Sequence, residues 1–138
     1  MEEINELDIK GMMNGGEEDL FIVLCTSGFE RIANAKSALM FASLAASANY
    51  QTILFCVQNA VDIMVKGAIE KNEVPQPGAP TLSQRLSEAV EMGVEIQCCT
   101  QTMANKKLTE ADLIPEVNTA GAMNLIVLSS KAKGTLCF

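Results

Sequence analysis

The side chains of this chain best placed for covalent chemistry are its cysteines. Five cysteines occur, at positions 25, 56, 98, 99 and 137, and histidine is absent. The missing histidine removes Ser-His and Cys-His pairs, and with them the commonest proton shuttle and metal ligand. An odd cysteine count argues against a disulfide framework. There is no C-x-x-C pair, and the adjacent Cys98 and Cys99 project in different directions on an extended chain. They chelate a metal poorly, so no metal and no cofactor is expected. The segment Cys25-Thr26-Ser27-Gly28-Phe29-Glu30 is neither a P-loop nor G-x-G-x-x-G, and no G-x-S-x-G elbow occurs. Glu110 and Asp112 read as charge at a helix start, not as an acid/base pair.

The five thiols are not equivalent. Cys25 and Cys56 lie inside apolar runs, and Cys137 lies in a short terminal run; all three read as structural. Cys98 and Cys99 stand where a strand stops and a polar loop begins. Alternation puts Val94, Ile96 and Cys98 on one face, and Glu95, Gln97 and Cys99 on a more polar one. A helix starting near Met103 would bring a positive end to Cys99, with Lys106 and Lys107 close behind. Both would favour a reachable thiolate. From the residues alone, a reactive Cys99 and a structural one both stand, with Cys98 the second candidate.

The elements that must position these thiols alternate between strand and helix. Leu20–Cys25 is a continuous apolar run suited to a strand covered on both faces. Arg31–Ala48 is alanine-rich, with apolar residues at helical spacing, and its small side chains permit close approach to a sheet. Gln51–Val57 is a second buried strand, and Asn59–Glu70 reads as one helix. Three of the four prolines fall between Asn72 and Pro80, which must be a loop. Thr81-Leu82-Ser83-Gln84 matches a capping box, so a helix starts there with Leu82, Leu86, Ala89 and Val90 as its buried stripe and Gly93 as its stop. Val94–Cys98 is a third strand. Thr109 opens a helix that Pro115 limits to about two turns. Met123–Leu128 is apolar enough for a strand. A helix over Thr119–Ala132 is preferred, because it supplies the crossover to a terminal strand at Thr135–Phe138. This alternation predicts a parallel sheet with helices on both faces, and ligands in such sheets collect outside the strands' carboxyl ends. Cys25, Cys56 and Cys98-Cys99 all fall at such ends.

Composition narrows the rest. At 138 residues and 49% hydrophobic content, the chain is long and apolar enough for one self-sufficient core. The net charge of −7 is concentrated at the front: residues 1–19 carry seven acids against Lys10, while the remainder is nearly neutral. Residues 1–18 therefore read as an acidic, flexible leader, and 19–138 as a single α/β domain. With no basic patch and only 4% aromatic residues, nucleic acid is not an expected partner. No apolar run reaches membrane-spanning length and the start is acidic, so a cytoplasmic protein is expected.

In order along the chain stand Leu24-Cys25-Thr26-Ser27-Gly28, Ala38-Leu39-Met40-Phe41-Ala42, Phe55-Cys56-Val57-Gln58-Asn59-Ala60-Val61, Gly93-Val94-Glu95-Ile96-Gln97-Cys98-Cys99 followed by Met103, and Leu108-Thr109-Glu110-Ala111-Asp112-Leu113-Ile114. This succession resembles the DsrE/DsrF-like (TusD-related) family of small sulfur-relay proteins over roughly residues 19–138. The resemblance implies a three-layer α/β/α sandwich around a parallel sheet of about five strands, flavodoxin-like in general character. Its extra strand would come from about Glu116–Thr119. It also implies a persulfide-bearing cysteine at the end of the third strand, where Cys99 falls, and a homotrimer or homohexamer. Asn59-Ala60 departs from the family pattern, in which an acidic residue and glycine are common. The expected function is thus an intracellular sulfur carrier or sulfurtransferase working through Cys99, with other sulfur-relay proteins as partners. The alternatives are a non-catalytic assembly subunit and a small-ligand binder at the strand carboxyl ends.

Overall fold

A computed structural model of the chain describes residues 19–138; the acidic leader proposed for residues 1–18 lies outside them. Five strands form one sheet: β1 (Leu20–Cys25), β2 (Gln51–Cys56), β3 (Glu95–Cys99), β4 (Val117–Ala120) and β5 (Gly134–Cys137). Their order is β4-β3-β2-β1-β5, and every pairing is parallel. The helices are α1 (Ile32–Ser47), α2 (Ala60–Ile63), α3 (Ala68–Asn72), α4 (Leu82–Glu91), α5 (Thr100–Asn105) and α6 (Ala122–Lys131). The chain steps outward from β1 to β4, then returns across the sheet to place β5 on the far side of β1. Right-handed crossovers put a helix made on the outward path and one made on the return on opposite faces.

The larger layer follows from the alanines of α1. Ala35, Ala38, Leu39, Ala42 and Ala45 are buried, and the alanines among them let α1 lie close to β1 and β2 and against α4. Val23, Leu54, Ile96 and Cys98 face this layer. Deleting a large buried chain here costs about 2–5 kcal/mol, because the cavity does not fully collapse. The opposite face carries α6, whose Leu125 and Leu128 pack on Leu20, Ile22 and Ile53. The start of α4 carries the expected capping box: the Thr81 side chain accepts from the Gln84 N–H, and the Gln84 side chain accepts from the Thr81 N–H. Gly93 follows this helix at φ +87°, a conformation that glycine reaches without a Cβ penalty.

Several expected elements change. The helix over Asn59–Glu70 is broken into α2 and α3, because Val65 pairs with Leu113, the Lys66 N–H donates to the Asp112 carbonyl, and Gly67 takes φ +75°. The helix expected from Thr109 is a single 3-10 turn at Glu110–Asp112. Asp112 accepts from the Thr109 N–H and closes that turn at once. The Thr119–Ala132 helix begins only at Ala122, since Val117–Ala120 is spent on β4, the strand implied by the family resemblance. Val90 is 37% exposed and lies at the edge of the buried stripe of α4.

Candidate functional site

Cys99 is the last residue of β3 and stands immediately before the first turn of α5. That helix is held from one side. The Thr102 hydroxyl accepts from the Gln58 N–H at 3.1 Å, Met103 is buried, and the Lys106 ammonium donates to Asn59 Oδ1 at 3.2 Å and Asp62 Oδ2 at 3.1 Å. Lys106, expected beside Cys99, is thus committed to the β2–α2 segment. What meets the thiol is Gln101. Cys99 Sγ donates to Gln101 Oε1 at 3.3 Å, and the same oxygen accepts from the Ala122 N–H at 3.1 Å. The Cys99 side of the sheet was expected to be polar and reachable, yet Gln97 is buried and Cys99 is only 5% exposed. The cause is α6: Asn124 Nδ2 donates to Gln97 Oε1 at 3.0 Å, and Gln97 in turn donates to the Glu95 carboxylate. Gln101 itself remains at the surface.

The other thiols separate by face. Cys98 points into the main core with Ile96 and Val94, as alternation requires, and is fully buried. Cys25, Cys56 and Cys98 occupy one register row across three neighbouring strands. Burial pushes the Cys25 thiol up to about 11, although the Ser27 carbonyl accepts its S–H at 3.4 Å. The hydrogen bond to Cys98, together with complete burial, holds the Cys56 thiol well above its ordinary value. A buried thiol that keeps its proton is inert, so the structural reading of these two stands. Cys137 differs from its expected structural role: it lies on the outermost strand and is exposed. All five cysteines are free. Among the described residues, no group of three or more Cys, Asp or Glu side chains is arranged to hold a metal.

Gln101 escaped the sequence reading. Its importance depends on the Ala122 N–H, 21 positions away, and no local pattern announces that contact. Glu30 is another such residue. The Gly28 N–H donates to its carboxylate at 2.9 Å and holds it below the usual carboxylate range, fixing the turn after β1. At this end of the sheet a cavity of about 360 Å³ is lined by Phe29, Asp62, Val65 and Leu108. Cys99 does not line it.

Residues 19–138 match the sequence model of the DsrE/DsrF-like family. The chain belongs to that family. The DsrE/DsrF-like family is of the sulfur-relay type. Its architecture is shared with solved structures. The Escherichia coli ychN protein superimposes with a TM-score of 0.63 at 18% identity, over 88% of this chain and 99% of that one. MTH1491 from Methanobacterium thermoautotrophicum, a protein of unknown function, gives 0.61 at 13% identity, over 87% and 98%. The conserved protein BT1422 from Bacteroides thetaiotaomicron gives 0.60 at 11% identity, over 88% and 95%. At such identities the likeness establishes the fold of this DsrE/DsrF-like chain. Among curated proteins, none matches it significantly. No helix of the described residues is long and apolar enough to cross a membrane.

Proposed function

We propose that this DsrE/DsrF-like chain is a sulfur carrier, and a sulfurtransferase in the sense that it passes sulfane sulfur from one thiol to another through Cys99. The observation that carries this reading is the place of Cys99. It ends the third strand at the sheet's carboxyl edge, next to the surface residue Gln101, whereas Cys25, Cys56 and Cys98 are sealed in the opposite layer. Cys99 as thiolate would attack the outer sulfur of a donor persulfide, forming the S–S bond of a Cys99 persulfide and releasing the donor as its thiolate. An acceptor thiolate then attacks that outer sulfur, takes it, and returns Cys99 to thiolate. No metal or cofactor is required for either step. Intact-mass analysis after incubation with an inorganic polysulfide tests the reading. A gain of one sulfur atom mapped to Cys99 supports it, and an unmodified Cys99 peptide overturns it.

Self-association and a cytoplasmic setting belong to the same proposal. On α6 the outward residues Met123, Ile126 and Val127 are exposed at helical spacing. Such a stripe on a nearly neutral body suits a second copy of the chain. Five free cysteines suit a reducing compartment.

The burial of Cys99 favours a second reading, a non-catalytic assembly subunit that uses the same apolar stripe. Labelling with a thiol reagent separates the two, since a subunit without chemistry leaves Cys99 unreacted. A small-ligand binder would instead use the cavity beside Phe29 and Asp62, whose volume falls within the usual range for small ligands. Its observable is a ligand that protects neighbouring amides without touching Cys99.

A further inference from the structure

We infer that Gln101 is a latch on Cys99, a positioning residue that keeps the thiol covered through a carbonyl it shares with the first turn of α6. The inference rests on Cys99 as the sulfur-bearing thiol and adds how that thiol is kept closed.

The orientation of the amide is fixed by its surroundings. The Ala122 N–H is a backbone donor that cannot become an acceptor, so the group 3.1 Å from it must be the Gln101 oxygen. That N–H belongs to the first residue of α6, where no intrahelical partner exists, and the preceding Gly121 has no side chain to cap it. Gln101 therefore caps α6 from another element. The oxygen so placed also lies 3.3 Å from Cys99 Sγ. A carbonyl oxygen accepts from S–H and offers no donor to a thiolate. Both sulfur-transfer steps need the thiolate and an approach to it. For either, the Gln101 side chain has to swing away or turn its amide, and Ala122 then loses its cap.

Closure of Cys99 and the seating of the α6 N-terminus are thus one event. The anchoring of α5 keeps its other side still. Thr102 holds the Gln58 N–H and Lys106 is bound to Asp62, whereas the Gln101 side chain is at the surface.

The test uses alkylation of the full-length protein by iodoacetamide at neutral pH, with each cysteine followed by peptide mass. No sulfur donor is present, so the result does not depend on whether a persulfide forms. Exposed Cys137 serves as the rate reference, and buried Cys25 and Cys56 report opening of the core. Gln101→Leu keeps the bulk and removes the acceptor. Cys99 labelling is expected to rise about fivefold, the factor that one ordinary net hydrogen bond is worth. Gln101→Glu keeps an acceptor for both Ala122 and the thiol, and should label Cys99 no faster than the native protein. An unchanged rate in Gln101→Leu overturns the latch, because bulk alone would then close the site. So does an equal rise in Gln101→Glu, or a rise shared by Cys25 and Cys56, which reports general loosening. If the alkylation pattern holds but native Cys99 takes no sulfur from polysulfide, the latch stands and the carrier reading falls.

Discussion

Cys98 and Cys99 are covalent neighbours that face opposite layers of the molecule: Cys98 is fully buried against the α1 layer, while the Cys99 thiol donates to Gln101 beneath the start of α6. One peptide bond thus separates a packing residue from the candidate sulfur carrier. This divides their mutants. Cys99→Ser is expected to abolish persulfide formation on the peptide that holds positions 98 and 99, read by peptide mass after treatment with polysulfide, with exposed Cys137 followed separately. Cys98→Ser should keep it while losing about 1–3 kcal/mol of stability, because a hydroxyl replaces a thiol in an apolar layer. Persulfide lost in Cys98→Ser and kept in Cys99→Ser would exchange the two roles.

The buried thiols give the protein an alkaline limit. Cys25 titrates at about 11 against an ordinary 9.0, and Cys56 is also raised. Between those values the unfolded chain has released the proton that the native chain retains, so fewer protons are bound on unfolding and stability falls as pH rises. The contribution is fully present below pH 9.0 and lost through about 11. The slope is at most about 1.4 kcal/mol per pH unit for each thiol. Urea unfolding of the native protein and of Cys25→Ala across this range checks the claim; the variant should show the shallower fall.

Gly28 is a point of close approach. A Cβ there would stand 2.8 Å from the carbonyl carbon of Asn59 and overlap its oxygen, both backbone atoms that cannot give way cheaply. Gly28→Ala is expected to cost about 1–3 kcal/mol, in the range of overpacking changes. A variant as stable as the native protein by urea titration would contradict the tight approach.

The apolar stripe of α6 predicts a mass above that of the monomer in light scattering. Ile126→Glu, at an exposed position, should lower that mass without unfolding the chain. A monomer at every concentration of the native protein would remove the self-association proposal.

Removing residues 1–17 should leave the cooperative thermal transition in place, because that segment holds few apolar residues and no clear periodicity. Loss of that transition would move the domain boundary.

The sequence by itself determined what depends on near neighbours. Continuous apolar runs gave β1 and β2, the alanine spacing gave α1, and Thr81 with Gln84 gave the start of α4. Alternation along Val94–Cys99 separates Cys98 from Cys99, because the period of a strand is local geometry. The order of its segments also carried the family resemblance. Only the tertiary structure decided matters that join distant residues. Val117–Ala120 is a strand because β3 offers it a ladder, although its composition says little. Val65 meets Leu113 and breaks a helix that looked continuous. Lys106 turns to Asp62, and Gln101 reaches across to Ala122 and closes over Cys99. Such contacts are fixed by where crossovers bring elements together, and single-residue spacing carries no record of that.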